Sequence, residues 1–339
     1  MMNATIGDVA ARAGVSVATV SRALRGLPNV AGSTRERVLR AAAELDYVVN
    51  PNASRLAAGR NLTVAAVVPH TQGWYFQAVL AGAQSVLEGQ GYDMLLYSLP
   101  TPAARERFLT LLPFRKRVDG VLLIDIPLTD PEQRMLAGLG TDIVSVGERG
   151  AHYPGVSIDN TAAGRTATEY LLDLGHRHVG LIGGLLEDPM RFRVGRDRRE
   201  GWLRALREHD VAPDPSWEFY GDFRLIDGVH GMDTLFSAHP DLTAVFCMSD
   251  EMAIGALRAI KERGLRCPED VSVVGFDDHE VSSYIGLTTV SQPMHLLGRT
   301  AGEILLSLAR DEDIGHYPRH LPTSLVVRET AAPLVQHPR

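Results

Sequence analysis

A chain of 339 residues, 45% hydrophobic and 22% charged, has the make-up of a globular protein and the length for two or three domains. Its two cysteines, Cys247 and Cys267, exclude a disulfide framework and a cysteine zinc site. The net charge of −7 is uneven: residues 1–60 carry eight arginines against four carboxylates, a surplus of four that leaves −11 on the remainder. That is the balance of a polyanion-binding head on an acidic body.

No basic segment followed by an apolar stretch opens the sequence, and no apolar run approaches about 18 residues. Neither export nor membrane insertion is expected, and a cytoplasmic location is. Thr5 and Asp8 predict a T-x-x-D capping box opening a helix to Ala13, where Gly14 ends it. Ser16 caps a second helix, "VATVSRAL". Ser33 with Glu36 predicts an S-x-x-E box for a third, on which Val38, Ala42 and Leu45 share a face. Ile6, Val9, Val15, Val20 and Leu24 can close a miniature core with that face. Two helices joined by the tight "AGVS" turn make a helix-turn-helix, whose second helix enters the DNA major groove by its N-terminal end.

The run "TIGDVAARAGVSVATVSRALRGLPNV", followed by "TRERVLRAAAELDY", resembles the N-terminal domain of LacI/GalR-family transcriptional regulators, in unbroken register from Thr5 to Leu24. The resemblance implies that Val17, Ala18 and Arg22 meet base edges. The chemistry agrees: Arg22 can bridge guanine O6 and N7, and Val17 and Ala18 offer apolar contact, for instance to a thymine methyl. Thr5, Ser16, Thr19, Ser21 and Asn29 would hold phosphates and set register. Arg25 departs from the family, which usually has Asn there.

Residues 50–60, "NPNASRLAAGR", read as a short helix with Asn50 as N-cap, Pro51 in the first position and Gly59 as the stop. Two turns are too few to hold together alone in water. The family has a hinge here that folds when two copies meet on the operator, and Asn50, Ala53 and Leu56 match it. Val49 stands where Pro is common. The resemblance makes Leu56 the wedge inserted into the central minor-groove step.

Beyond Leu62, apolar runs ("TVAAVVP", "YDMLLYS", "VDGVLLI", "DIVSVG", "HVGLIGG", "TAVFCM", "VSVVGFD") alternate with helical stretches at 75–89, 161–174, 198–208, 250–263 and 294–308. This predicts an α/β body of two Rossmann-like lobes around a cleft, with ligands at the carboxyl ends of the strands. "VSIDNTAAGRTATEYLLDLGHRHVGLIGG", "MAIGALRAIKERGLRCPEDVSVVGFDD" and "LTTVSQPMHLLGRTAGEILL" continue the family resemblance, which implies the fold of type I periplasmic sugar-binding proteins. The expected fold class is thus a small all-α helix-turn-helix head plus an α/β body of the periplasmic-binding-protein type I. The expected divisions are a DNA-binding domain over 1–49, a hinge over 50–60 and an effector-binding and dimerisation body over 61–339. In that body the N-lobe takes about 61–160 and 291–320, and the C-lobe about 161–290 and 321–332.

The resemblance also carries effector contacts onto this chain. Tyr75 and Phe76 would stack on a sugar or base ring, Arg198 and Asp277 would be polar anchors, and Phe223 and Gln292 are further candidates. Asp and Arg together suit vicinal hydroxyls through paired, charge-assisted hydrogen bonds. His70, Trp74 and Asp159 are placed near the cleft, Trp74 equally suiting half-buried packing, and Ser249 replaces a common Asn. The five arginines of "RFRVGRDRR" suit either an anionic effector or a solvated helix start.

No enzyme signature appears: no G-x-G-x-x-G follows a strand, and no Walker A, H-E-x-x-H or G-x-S-x-G occurs. His176 and His178 in "LGHRHVG" read as a structural turn, so no catalytic residue, metal or cofactor is expected. The tail "ETAAPLVQHPR" has no leucine heptad of the kind that tetramerises some relatives. The expectation is a homodimeric, ligand-responsive, sequence-specific repressor of carbohydrate-related genes. Its partners would be a near-palindromic operator and a sugar or sugar derivative. The competing reading is a solute-binding receptor with the same body and no DNA role.

Overall fold

The structure, a computed structural model, describes residues 4–47, 60–148, 150–315, 317 and 319–334. The hinge residues Asn50, Ala53 and Leu56 lie outside the described residues. The chain divides into two compact units, Met1–Leu62 and Thr63–Arg339.

The first unit holds α1 (Ile6–Ala13), α2 (Val17–Leu24) and α3 (Gly32–Glu44). The capping box of α1 is complete: the Asp8 N–H donates to Thr5 Oγ1 at 3.3 Å and the Thr5 N–H to Asp8 Oδ2 at 2.8 Å. Those bonds hold the Asp8 carboxyl below its ordinary pKa, the Thr5 backbone bond contributing most. Gly14 ends α1 at φ 64°, a left-handed turn that favours glycine. Val9, Val20 and Val38, one from each helix, are fully buried against one another.

The third helix departs from expectation. It begins at Gly32 with Ala31 as N-cap and no capping side chain, so Ser33 and Glu36 form no box. Ser33 already lies inside the first turn, where its hydroxyl is past the cap position. The Arg35 guanidinium instead donates to the Leu27 carbonyl at 2.6 Å, fastening the turn that leads into the helix.

In the second unit, β1 (Thr63–Val68), β2 (Asp93–Ser98), β3 (Gly120–Ile124), β4 (Asp142–Val146) and β5 (Gly155–Val156) form a parallel sheet of order β2-β1-β3-β4-β5. A second sheet joins β6 (Val179–Gly184), β7 (Glu218–Gly221), β8 (Ala244–Cys247), β9 (Ser272–Asp277), β10 (Thr288–Ser291) and β11 (Ser324–Val326). Its order is β11-β10-β9-β8-β6-β7, parallel except for the antiparallel β10–β11 pair. The helices are α4 (Trp74–Glu88), α5 (Pro102–Leu111), α6 (Asp130–Ala137), α7 (Asn160–Asp173), α8 (Val194–Glu208), α9 (Leu225–Ala238), α10 (Asp250–Glu262), α11 (Glu280–Tyr284) and α12 (Met294–Leu308).

Strand alternation explains why helices cover both faces of the first sheet. Val64, Val68, Leu122, Ile124 and Val144 join one core with Val79 and Ala83 of α4 and Leu297 of α12. Their neighbours Ala65, Val67, Val121, Leu123 and Ile143 join another with Phe108 of α5 and Leu136 of α6. The chain crosses between the sheets three times: from β5 into α7, from β10 into α12, and from His320, bridged to Ser157, into β11. Thus α12, made late, packs on α4 and β4 of the first sheet.

Three helix pairs lie close because each partner brings a glycine to the crossing. These are Gly82 and Gly298 for α4 and α12, Gly164 and Gly201 for α7 and α8, and Gly228 and Gly255 for α9 and α10. A Cβ on any of the six would collide with backbone atoms of the opposite helix. Among the described residues no helix is long and apolar enough to cross a membrane.

A candidate recognition helix in the head and a candidate ligand cavity in the body

Helix α2 is buried through Val20 and Ala23 and presents its opposite side outward. On that exposed arc stand Val17, Ala18 and, one turn on, Arg22. Ser16 caps the helix by accepting the Thr19 N–H at 3.2 Å, and the two hydroxyls lie 2.9 Å apart. Ser21 is half-buried, and Asn29 is exposed in the α2–α3 turn at φ 70°. The exposed Thr5 hydroxyl is engaged with Asp8 Oδ2 at 2.7 Å, so a phosphate there would compete with the cap.

In the body a cavity of about 430 Å³ opens between the two sheets at the carboxyl ends of their strands. Tyr75, Phe76, Arg198, Phe223, Asp277 and Gln292 all line it, brought from five separate segments of sequence. His70 and Ser249 line it as well, Ser249 also capping α10 by accepting the Met252 N–H at 3.2 Å. Trp74 and Asp159 are not among its lining residues. Trp74 stacks instead on His279, ring centroids 3.8 Å apart. Asp159 caps α7, accepting the Ala162 N–H at 2.9 Å.

Arg198 is the buried centre. Its Nε donates to Asn160 Oδ1 at 2.9 Å, its Nη1 to the Met248 carbonyl, and its guanidinium lies 3.5 Å from the centroid of the Phe276 ring. Burial lowers its pKa, opposed by Asp277 and other nearby acids. Asp277 accepts a hydrogen bond from Gln292 Nε2. Burial pushes its carboxyl up to about 8 despite the Arg198 charge. Burial likewise lifts Asp125 to about 7, opposed by the Tyr75 hydroxyl that donates to it. The same burial, reinforced by Asp125, drives the Tyr75 phenol well above its ordinary value.

Backbone conformation aims two of these side chains. Phe223 and Asp277 hold φ values of 60° and 121°, costly for residues with a Cβ. Glycines leave room for two of the lining side chains: a Cβ on Gly184 would enter the Phe223 ring, and one on Gly147 would strike the Asp125 carboxylate.

Asp125, Glu148, Asn160, Phe192 and Glu251 also line the cavity and escaped the sequence reading. Asp125 was legible in principle, because it follows "VLLI" at the carboxyl end of β3 as Asp277 ends "VGFD" in β9. The arginine-rich run divides its members. Arg193 and Arg198 line the cavity; Arg196 donates to the Leu186 carbonyl; Arg199 pairs with Glu218; Arg191 is exposed and outside the lining. His176 is a buried strut between Thr243, Ser272 and the Ala332 carbonyl, and His178 turns to Asp241 instead.

The pattern of the lacI family of bacterial regulatory proteins matches residues 5–50, and that of a periplasmic binding protein-like domain matches 168–331. The chain is 32% identical to the HTH-type transcriptional repressor PurR of Vibrio vulnificus (strain CMCP6), over 96% of this chain and 98% of the relative. The structure of a transcriptional regulator CelR–cellobiose complex is similar at TM-score 0.70 and 35% identity, covering 97% of this chain and 100% of that one. The Lac repressor dimer bound to operator and the anti-inducer ONPF is similar at TM-score 0.84 and 30% identity, covering 98% and 100%.

Proposed function

The chain belongs to the lacI family of bacterial regulatory proteins, and on that premise we propose that it is a homodimeric, ligand-responsive repressor of transcription. Each head reads half of a near-palindromic operator, which requires two copies in two-fold register. A sugar or sugar derivative enters the cavity of the body and shifts the equilibrium between conformations that differ in operator affinity. It does so only to the extent that it binds one better than the other. The protein works in the cytoplasm, where its operator is. It is not an enzyme.

One observation carries the reading: a single chain presents an exposed helix-turn-helix face and a cavity lined by six residues of the kind that hold a polyhydroxylated ring. A solute receptor without a DNA role would have no use for the first of these. In this reading Val17, Ala18 and Arg22 face bases, while Thr5, Ser16, Thr19, Ser21 and Asn29 face phosphates. Asn50, Ala53 and Leu56 form the hinge, with Leu56 as the wedge. The divisions at residues 1–49, 50–60 and 61–339, and the two lobes, belong to the same proposal.

Electrophoretic retardation of duplex DNA from the protein's own promoter region tests it. Full-length protein should shift a specific fragment, and deletion of residues 1–60 should abolish the shift. Arg22→Ala should lose about 1–3 kcal/mol of discrimination between operator and scrambled duplex. Absence of any preferred fragment for the full chain would overturn the repressor reading.

A further inference from the structure

We infer that the cavity takes an uncharged saccharide of at least two rings and rejects phosphorylated and carboxylated sugars. The inference rests on the reading of this cavity as the effector site and names the class of ligand it selects.

Helix N-termini are the natural anion sites of a cleft between two such sheets, since their backbone N–H groups point outward unsatisfied. Here side chains of the chain itself already accept an N–H at or just before each of these helix starts. Glu251 accepts the Trp74 N–H at the start of α4. Glu148 takes the Arg193 N–H, 3.4 Å away, at the start of α8. Asp227 accepts the Asp222 and Arg224 N–H groups at 2.9 and 3.0 Å, before α9. Asp159 closes α7, and the Ser249 hydroxyl closes α10.

The cations are answered as well. Arg224 is held by Asp227 through both Nε and Nη2, at 3.1 and 3.2 Å. Arg198 spends donors on Asn160 and the Met248 carbonyl and lies in the fields of Asp277 and Asp125. Arg193 sits in the field of Glu148. Against these three lining arginines stand Glu148, Asp188, Asp222 and Glu251, besides Asp125 and Asp277, whose burial favours the neutral form. An incoming phosphate would meet only cations that already have acidic neighbours, and would add negative charge beside four further carboxylates.

Hydroxyl groups suit the same walls. Carboxyl oxygens, Asn160 and Gln292 can accept and donate in pairs, and Tyr75, Phe76, Phe192 and Phe223 supply flat apolar surface for ring faces. Size sets the lower limit. A cavity of roughly 150 Å³ holds one benzene-sized ring, and this one measures about 430 Å³.

Isothermal titration of the full-length protein tests the inference, with trehalose, maltose and cellobiose, their 6-phosphates, the matching uronic-acid disaccharides, and glucose. At least one neutral disaccharide should bind, and its phosphorylated or uronic counterpart and the monosaccharide should bind about tenfold more weakly or worse. A charged form binding as tightly as its neutral parent overturns the charge assignment, and glucose matching a disaccharide overturns the size. A panel with no binder overturns the saccharide assignment as a whole. Operator retardation on the same preparation keeps these outcomes apart from failure of the repressor reading, which that assay alone decides.

Discussion

At Asp277 two opposed effects meet and burial wins: Arg198 draws the carboxyl down, yet it stands at about 8 against an ordinary 3.8. A carboxyl raised in the folded state contributes full stability below its unfolded pKa and loses it as pH climbs through the folded value. Asp277→Asn keeps the oxygen that accepts from Gln292 and never ionises. Its Tm relative to wild type should therefore rise by several degrees between about pH 4 and about pH 8 and level off above. Thermal melts across that range check it, and a difference that stays flat would show Asp277 ionised in the native cavity. This residue was readable from its motif because it ends a strand whose carboxyl edge must face the cleft. Asp125 occupies the equivalent place on the other sheet without a family motif to flag it. Glu148 and Glu251 act through helix starts contributed by distant sequence, which no local pattern encodes.

Helix α4 has Gly73 as its N-cap and no capping side chain of its own. Its first N–H is served by Glu251 of α10, and Trp74 stacks on His279 just before α11. Two contacts from the second sheet thus grip one helix end of the first. An aromatic stack of this kind adds about 0.5–1.5 kcal/mol beyond its area. Trp74→Ala should shift the ligand-free body toward a more open form by up to about tenfold. Solution X-ray scattering should record a larger radius of gyration, and ligand affinity should fall by a similar factor. Identical scattering for variant and wild type would deny the stack any part in closure. Elements with strong periodicity were legible, α4, α7, α10 and α12 among them, with ends within a residue or so. Short or polar ones, such as β5, β7 and α6, escaped because so few residues carry no period. The Ser33 box failed for a related reason: a cap depends on where the backbone enters the helix, and Arg35 fixed that at Ala31.

For the molecule as a whole, the alternation of strands and helices announced two parallel-sheet lobes, and the charge asymmetry announced a head unlike the body. The late return of the chain to the first lobe, over about 291–320, was expected through the family resemblance and not through local pattern, because threading depends on which sheet a late helix chooses. With α12 seated on α4, a chain stopped after Ser291 would leave Val79, Ala83 and Leu87 of α4 without part of their cover. Such a truncation should accumulate as insoluble protein on expression, and a soluble, compact product would contradict the packing described. The same arrangement governs the timetable of synthesis. The lobe whose strands leave the ribosome earliest must wait for one of the last helices, more than 200 residues downstream. At translation speeds of about 5–20 residues per second the delay is on the order of tens of seconds. Throughout it the nascent N-terminal half offers chaperones an apolar flank that only its own far end can seal.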